Sequence, residues 1–317
     1  MMKKISFCIP CYRSEKTIQA VIDEIDYQMA QHTDYSYEIV CVVDGSPDHV
    51  LDVLISLCRT KNYLKVINFT KNFGQASARM ATLRFATGDF LVCLDDDGQC
   101  PIDHVFDLLR PLEADADVSI AQYPRKKQSA FKNFGSKVNE KMIHFLLDVE
   151  KNFHMSNFYA MKHFIAQQIL TYNNPYPYLT GLLVQSTRNF AYVTMEERSR
   201  LSGTSGYTFR KLINLWLNGA TNFSVHPLRM ADLLGVLCAL FGFGLGVTSV
   251  FQKMFCDNIQ LGYTSIFSAI FFVGGIIMLL LGIIGEYVGR IFICINNSPQ
   301  YVVKNIYNIE TDFSHIR

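Results

Sequence analysis

Two apolar stretches, 233–255 and 266–295, most constrain what this chain can become. Each is long enough to cross a hydrocarbon core of about 30 Å as a helix. Gly242, Gly244 and Gly246 in the first, and Gly274 and Gly275 in the second, allow close helix contact. The connecting loop, 252–263, carries one lysine, Lys253, whereas Arg229, Arg290 and Lys304 lie on the other side of the pair. That asymmetry predicts both termini in the cytoplasm. A buried helical hairpin is the alternative, and the length of the segments counts against it. The 317 residues are 50% hydrophobic and 18% charged, against about 25% charged in an ordinary soluble domain. The apolar excess is concentrated after Met230, which excludes both a purely soluble enzyme and a transporter of many spans. The net charge of +1 leaves no global field to hold nucleic acid.

The preceding two hundred residues read as an α/β domain. Strands are expected at 5–9, 38–43, 65–69, 89–94 and 118–121, and helices at 14–29, 48–58, 75–86 and 102–112. Strict alternation of the two predicts a mostly parallel sheet covered on both faces. Ligands of such sheets bind beyond the carboxyl ends of the strands, so the loops at 10–14, 44–48, 70–74 and 95–101 carry the candidate chemistry. Amphipathic helices are expected near 130–148 and 207–223, either packed on the domain or lying at a membrane surface. Nine cysteines without framework spacing read as buried thiols of a reducing compartment. Cys8-x-x-Cys11 opens a redox reading, although a strand cysteine followed by a loop cysteine accounts for the same residues. The start, with Pro10 soon after Lys3-Lys4, lacks the apolar core of a signal peptide and reads as a first strand.

Three of the loops carry recognisable chemistry. Leu94-Asp95-Asp96-Asp97-Gly98-Gln99 follows a strand. Adjacent acids repel, and residues two apart, Asp95 and Asp97, can face one hard cation; a solvated acidic turn is the alternative. Val43-Asp44-Gly45-Ser46-Pro47-Asp48 offers a carboxylate for a base N–H or a ribose hydroxyl, or an ordinary Asp-Gly turn. Lys71-Asn72-Phe73-Gly74-Gln75 sets a lysine beside a helix N-terminus, where a diphosphate binds well.

In this order and spacing the loops resemble those of family 2 glycosyltransferases, whose nucleotide-sugar domain has the GT-A fold. Pro10-Cys11-Tyr12-Arg13-Ser14-Glu15 resembles the first loop of that family, Asn72-Phe73-Gly74 its third, and Asp95-x-Asp97 its D-x-D. Asp97-Gly98-Gln99-Cys100-Pro101 is similar to the segment by which dolichol-phosphate mannose synthases hold their metal. Gly285-Glu286-Tyr287-Val288-Gly289-Arg290 and Arg200-x-x-Gly203-x-Ser205 resemble the polyprenyl-phosphate group, which includes bactoprenol glucosyltransferases. The sequence departs from that pattern in four places, one of them a short segment. Val43 stands where a second acid is usual, and Gly206 where a lysine is. Arg125 follows a fifth strand that lacks its usual arginine. Ser156-Asn157-Phe158-Tyr159 replaces G-D-F-R.

The resemblance implies a GT-A domain over 1–228 that includes the interfacial helices, two transmembrane helices within 229–295, and a cytoplasmic tail at 296–317. It implies transfer of one sugar from a nucleotide diphosphate donor to undecaprenyl phosphate, with inversion, by a multi-pass protein of the cytoplasmic membrane whose catalytic domain faces the cytoplasm. Asp95, Asp97 and Gln99 would hold Mg2+ or Mn2+. Pro10, Tyr12, Glu15, Asp44, Lys71, Gly74, Arg125 and Ser205 would bind substrate, and Arg200 would join Asp95 and Asp97 in catalysis. The lipid bilayer is an expected partner, and relatives imply a homo-oligomer, a tetramer. The alternatives are transfer to another lipid or a polymer, and a non-catalytic nucleotide-binding membrane scaffold.

Overall fold

The computed structural model describes residues 2–123, 153–175, 177–196, 198, 235–237, 240, 244, 263–296 and 298–309. The chain divides into two compact units, Met1–Thr208 with Asn297–Arg317, and Phe209–Asn296.

The first unit is built on an eight-stranded sheet of order β7-β5-β6-β4-β1-β2-β3-β8. Its strands are β1 Lys3–Cys11, β2 Tyr35–Val43, β3 Leu64–Phe69, β4 Phe90–Cys93, β5 Val118–Gln122, β6 Tyr159–Lys162, β7 Phe190–Thr194 and β8 Val303–Tyr307. The centre, β4-β1-β2-β3, is wholly parallel. Its strands are near-continuous apolar runs, as expected for strands covered on both faces: from Ile39 to Val43 every β2 residue is buried. β6 runs antiparallel between β4 and β5, and β8 runs antiparallel along β3.

Four helices, α1 Ile18–Ala30, α2 Val50–Cys58, α3 Gln75–Phe85 and α4 Val105–Ala114, alternate with the strands. On α1 the buried residues are Ile18, Val21, Ile22, Ile25 and Met29, and on α4 they are Val105, Leu108, Leu109 and Leu112. Steps of three and four place each set on one stripe against the sheet. In α3, by contrast, Ser77 through Leu83 are all buried, with small residues predominating. Two further helices, α5 His163–Ile169 and α6 Leu179–Ser186, follow β6.

The strands expected at 5–9, 38–43, 65–69, 89–94 and 118–121 and the helices expected at 14–29, 48–58, 75–86 and 102–112 all form, although α1 starts only at Ile18. β1 continues two residues past the expected end, because Pro10 and Cys11 still pair with Val42 and Val43. β6, β7, β8, α5 and α6 were not predicted. The residues after 296 read as a tail, yet Val303–Tyr307 closes the β3 edge of the sheet.

In the second unit, α7 Tyr263–Ile295 includes Phe272–Ile295, whose mean hydropathy is 2.0. Among the described residues it is the one helix long and apolar enough to cross a membrane. The expected first span lies mostly outside the described residues; the positions described within it, 235–237, 240 and 244, are helical. The expected interfacial helices near 130–148 and 207–223 lie outside them as well.

At the amino end of the parallel strands sits a buried carboxylate, Glu38 of β2. It accepts from Lys4 Nζ at 2.6 Å, Ser6 Oγ at 2.6 Å and Thr87 N at 2.6 Å, and it pairs with Lys65 Nζ at 2.8 Å. Burial alone would raise its pKa, but Lys4, Lys65, Ser6 and the Thr87 N–H outweigh it and hold the carboxyl at about 2. A depressed acid contributes stability above its ordinary pKa and loses it as pH falls through the folded value. Glu38→Gln leaves two lysines unpaired at the sheet. It is expected to cost roughly 3 kcal/mol at pH 7 and to flatten the acid limb of Tm against pH between about 4.5 and 2, read by thermal melting in detergent.

Candidate active site at the strand ends

The four central strands end side by side, and the loops that leave them hold one another. After β1, the Tyr12 N–H donates to Asp96 Oδ2 at 2.9 Å, and the Thr17 hydroxyl donates to the Asp96 carbonyl at 2.6 Å. Arg13, at φ 59°, donates its N–H to Ser46 Oγ at 2.8 Å. The Glu15 N–H reaches Asp48 Oδ2 at 3.0 Å, and Glu15 Oε2 accepts the His49 N–H at 3.3 Å. The first loop is thus tied to both the second and the fourth.

Asp44 joins the second loop to the third. Its side chain is buried, and its two oxygens accept the backbone N–H groups of Phe73 at 2.6 Å and Gly74 at 2.9 Å. Asn72 Nδ2 donates to the Asp44 carbonyl at 3.1 Å. Burial raises the Asp44 pKa, and the two amides oppose that rise. A Cβ at Gly45, where φ is +56°, would lie 2.3 Å from the Lys71 carbonyl carbon, so only glycine lets the two loops approach this closely. Gly74, at φ +96°, turns the chain into α3. Lys71 is exposed, with its Nζ 5.1 Å from the Phe73 ring centre. Phe73 meets Phe69 edge-on, and Tyr301 stacks on Phe69 at 4.9 Å.

The acidic loop splits its three carboxylates between different neighbours. Asp95 Oδ1 accepts from Gln75 Nε2 at 2.9 Å and Arg79 Nη2 at 2.7 Å, and Asp95 Oδ2 accepts from Asn157 Nδ2 at 2.7 Å. Arg79 is only 7% exposed, so Asp95 partners a charge that has left water. Asp96 turns to the first loop. Burial and the neighbouring Asp95 push its pKa up to about 6, against the Ser14 hydroxyl and the Tyr12 N–H. Asp97 Oδ1 accepts the Gln99 N–H at 3.1 Å, and Gln99 Nε2 donates to the Arg198 carbonyl at 3.3 Å.

The structure therefore brings Tyr12, Glu15, Asp44, Lys71, Gly74, Asp95, Asp97 and Gln99 to one end of the sheet. Pro10 is buried near the carboxyl end of β1. Arg125, Arg200 and Ser205 lie outside the described residues. Sequence reasoning missed Gln75, Arg79 and Arg198, and it noted Asn157 only as a departure. A signal for Arg79 was present: it is the one charge between Gly74 and Leu83, in a run of small and apolar residues. The redox reading of Cys8 and Cys11 gains nothing, since both are buried free thiols whose pKa burial drives well up.

The two outer aspartates are not equivalent. Asp95→Ala leaves Arg79 buried without an anion and is expected to destabilise the protein by about 3–5 kcal/mol. Asp97→Ala removes a half-exposed side chain and is expected to change stability by less than about 1 kcal/mol. Thermal melting of the two variants in detergent checks this, and equal losses would contradict it.

The glycosyl transferase family 2 profile matches residues 6–172, and the GtrB C-terminal hairpin profile matches residues 226–291. An uncharacterized glycosyltransferase of Bacillus subtilis, YkcC, is 28% identical over 306 residues, 96% of this chain and 94% of that protein. The bactoprenol glucosyl transferase of Shigella phage SfII is 28% identical over 310 residues, 95% of this chain and 97% of that one. Among solved structures, the glucosyl-3-phosphoglycerate synthase of Mycobacterium tuberculosis, crystallised with Mn2+, UDP and glucosyl-3-phosphoglycerate, superposes with a TM-score of 0.53 at 16% identity. That match covers 69% of this chain and 78% of the synthase, and it shows that the fold is GT-A-like. A family match over more than half of the sequence, on a sheet that presents the D-x-D loop at its carboxyl end, makes this chain a glycosyltransferase belonging to glycosyl transferase family 2.

Proposed function

We propose that the protein transfers a single sugar from a nucleoside diphosphate sugar to undecaprenyl phosphate, or a similar polyprenyl phosphate, at the cytoplasmic face of the membrane. The observation that carries this reading is the combination, in one chain, of a D-x-D loop at four converging strand ends and the apolar helix α7. Bactoprenol glucosyl transferases similar over nearly their whole length support it, as does the hairpin match at 226–291. Gly235 lies in a helical stretch, and a Cβ built there would be 3.7 Å from Leu280 of α7, which supports a second span packed against the first. A domain over 1–228, two spans within 229–295 and a cytoplasmic segment from 296 follow from this reading.

Asp95, Asp97 and Gln99 would hold a divalent cation, Mg2+ or Mn2+. Their side chains supply oxygen ligands, which suit such hard ions. Such an ion would take the rest of its shell from the phosphates of the donor. When bound, the ion would stabilise charge on the departing nucleoside diphosphate. Arg79 offsets the charge of Asp95 in the folded protein.

Tyr12, Glu15 and Asp44, with Pro10, would frame the nucleoside. Lys71 and the α3 N-terminus at Gly74 would meet the diphosphate. Arg125, Arg200 and Ser205 would serve the phosphates of donor and acceptor. The acceptor phosphate oxygen is already anionic at neutral pH, so these residues position it and balance charge; no strong base is required. A single direct displacement inverts the anomeric carbon.

The test uses purified protein in detergent with undecaprenyl phosphate, Mn2+ or Mg2+, and a panel of nucleotide sugars that includes UDP-glucose. Mass spectrometry is expected to find one sugar per lipid, with product lost on chelation and restored by the ion. Asp97→Ala is expected to cut the rate by roughly 100-fold or more. A polymeric product, or nucleotide binding with no lipid product from any donor, would overturn the proposal.

A further inference from the structure

Arg198, just beyond β7, meets three parts of the domain that are distant in sequence. Its Nη1 lies 2.7 Å from Glu24 Oε1 on α1, and its Nη2 lies 2.7 Å from Asp103 Oδ1 in the 3-10 turn after the acidic loop. Its backbone N–H donates to the Gln99 carbonyl at 3.2 Å, and its own carbonyl accepts Gln99 Nε2 at 3.3 Å. One residue therefore meets Gln99 through both its main-chain groups while its side chain spans two separate elements.

We propose that Arg198 is a positioning residue for the cation site: its guanidinium, braced between Glu24 and Asp103, fixes the main chain at 198 so that the carbonyl there selects the orientation of the Gln99 side chain. The proposal rests on the reading of Gln99 as a cation ligand. A carboxamide can present either its oxygen or its nitrogen, and only the oxygen suits a hard cation. A backbone carbonyl only accepts, so the group that faces Arg198 must be the NH2, and the oxygen is turned the other way. The planar fork of arginine suits two carboxylates at once, whereas a lysine ammonium is a compact point charge. The side chains of Arg198, Glu24 and Asp103 are 37%, 27% and 45% exposed. Pairs so open to solvent contribute little to stability, so the effect of the brace falls on the geometry of the loop.

Mn2+ binding to the full-length protein in detergent, read by electron paramagnetic resonance with whichever of UDP, GDP, TDP or CDP the wild type binds best, provides the test. Arg198→Ala is expected to weaken Mn2+ binding about tenfold, a typical outer-shell effect, while Tm falls by no more than about 4 °C. The double variant Glu24→Gln/Asp103→Asn, which keeps the arginine but removes its brace, is expected to match Arg198→Ala, and Arg198→Lys is expected to lose less. On a Gln99→Ala background, Arg198→Ala is expected to add no further loss, because the residue acts through Gln99. Unchanged Mn2+ affinity in Arg198→Ala, or an undiminished loss on the Gln99→Ala background, would overturn the inference alone. A wild-type protein that binds no Mn2+ with any of the nucleotides would overturn it together with the reading of Gln99.

Discussion

A guanidinium taken out of water must find an anion, and Arg79 finds Asp95. The pair lies where α3 passes beneath the acidic loop, and much of the site follows from it. Asp95 accepts from Arg79, Gln75 and Asn157, which ties α3, the acidic loop and the segment before β6 together. Asp96, next in sequence, turns the opposite way and takes the Tyr12 N–H. Asp97 is left to face the turn that carries Gln99. Three like charges in a row would repel in isolation. Here each has a different structural partner, and the buried Arg79 sits beside the first.

The other loops are organised by the same rule, that a buried polar group must be paired. Asp44 accepts two backbone N–H groups of the third loop and so shapes the turn into α3. The sequence suggests a carboxylate poised for a nucleoside; the structure adds that the same carboxylate holds the wall of the site. Gly45 permits that contact because its neighbour is backbone, which cannot move aside as a flexible side chain can.

The parallel half of the domain was legible because its signals are local. Continuous apolar runs marked β1 to β4, steps of three and four marked α1 and α4, and the glycine and aspartate loops marked the strand ends. The rest depends on contacts between residues far apart in the chain. β6 is four residues long and is recognisable only by its place between β4 and β5. β8 reads Val-Lys-Asn-Ile-Tyr, a mixed segment that becomes a strand because the β3 edge is available to it. Arg79 and Arg198 act across many residues of sequence, and no spacing rule links Arg198 to Glu24 or Asp103.

The return of the chain to β3 has a consequence for biogenesis. The ribosome makes β3 early and β8 only after the whole of α7 has been synthesised. Until then β3 presents an unpaired row of N–H and C=O groups, the kind of edge on which chains aggregate. Completion of the sheet therefore waits for the apolar helix to emerge, and a catalytic fragment cut before that helix lacks its own edge strand and the Tyr301 ring that stacks on Phe69.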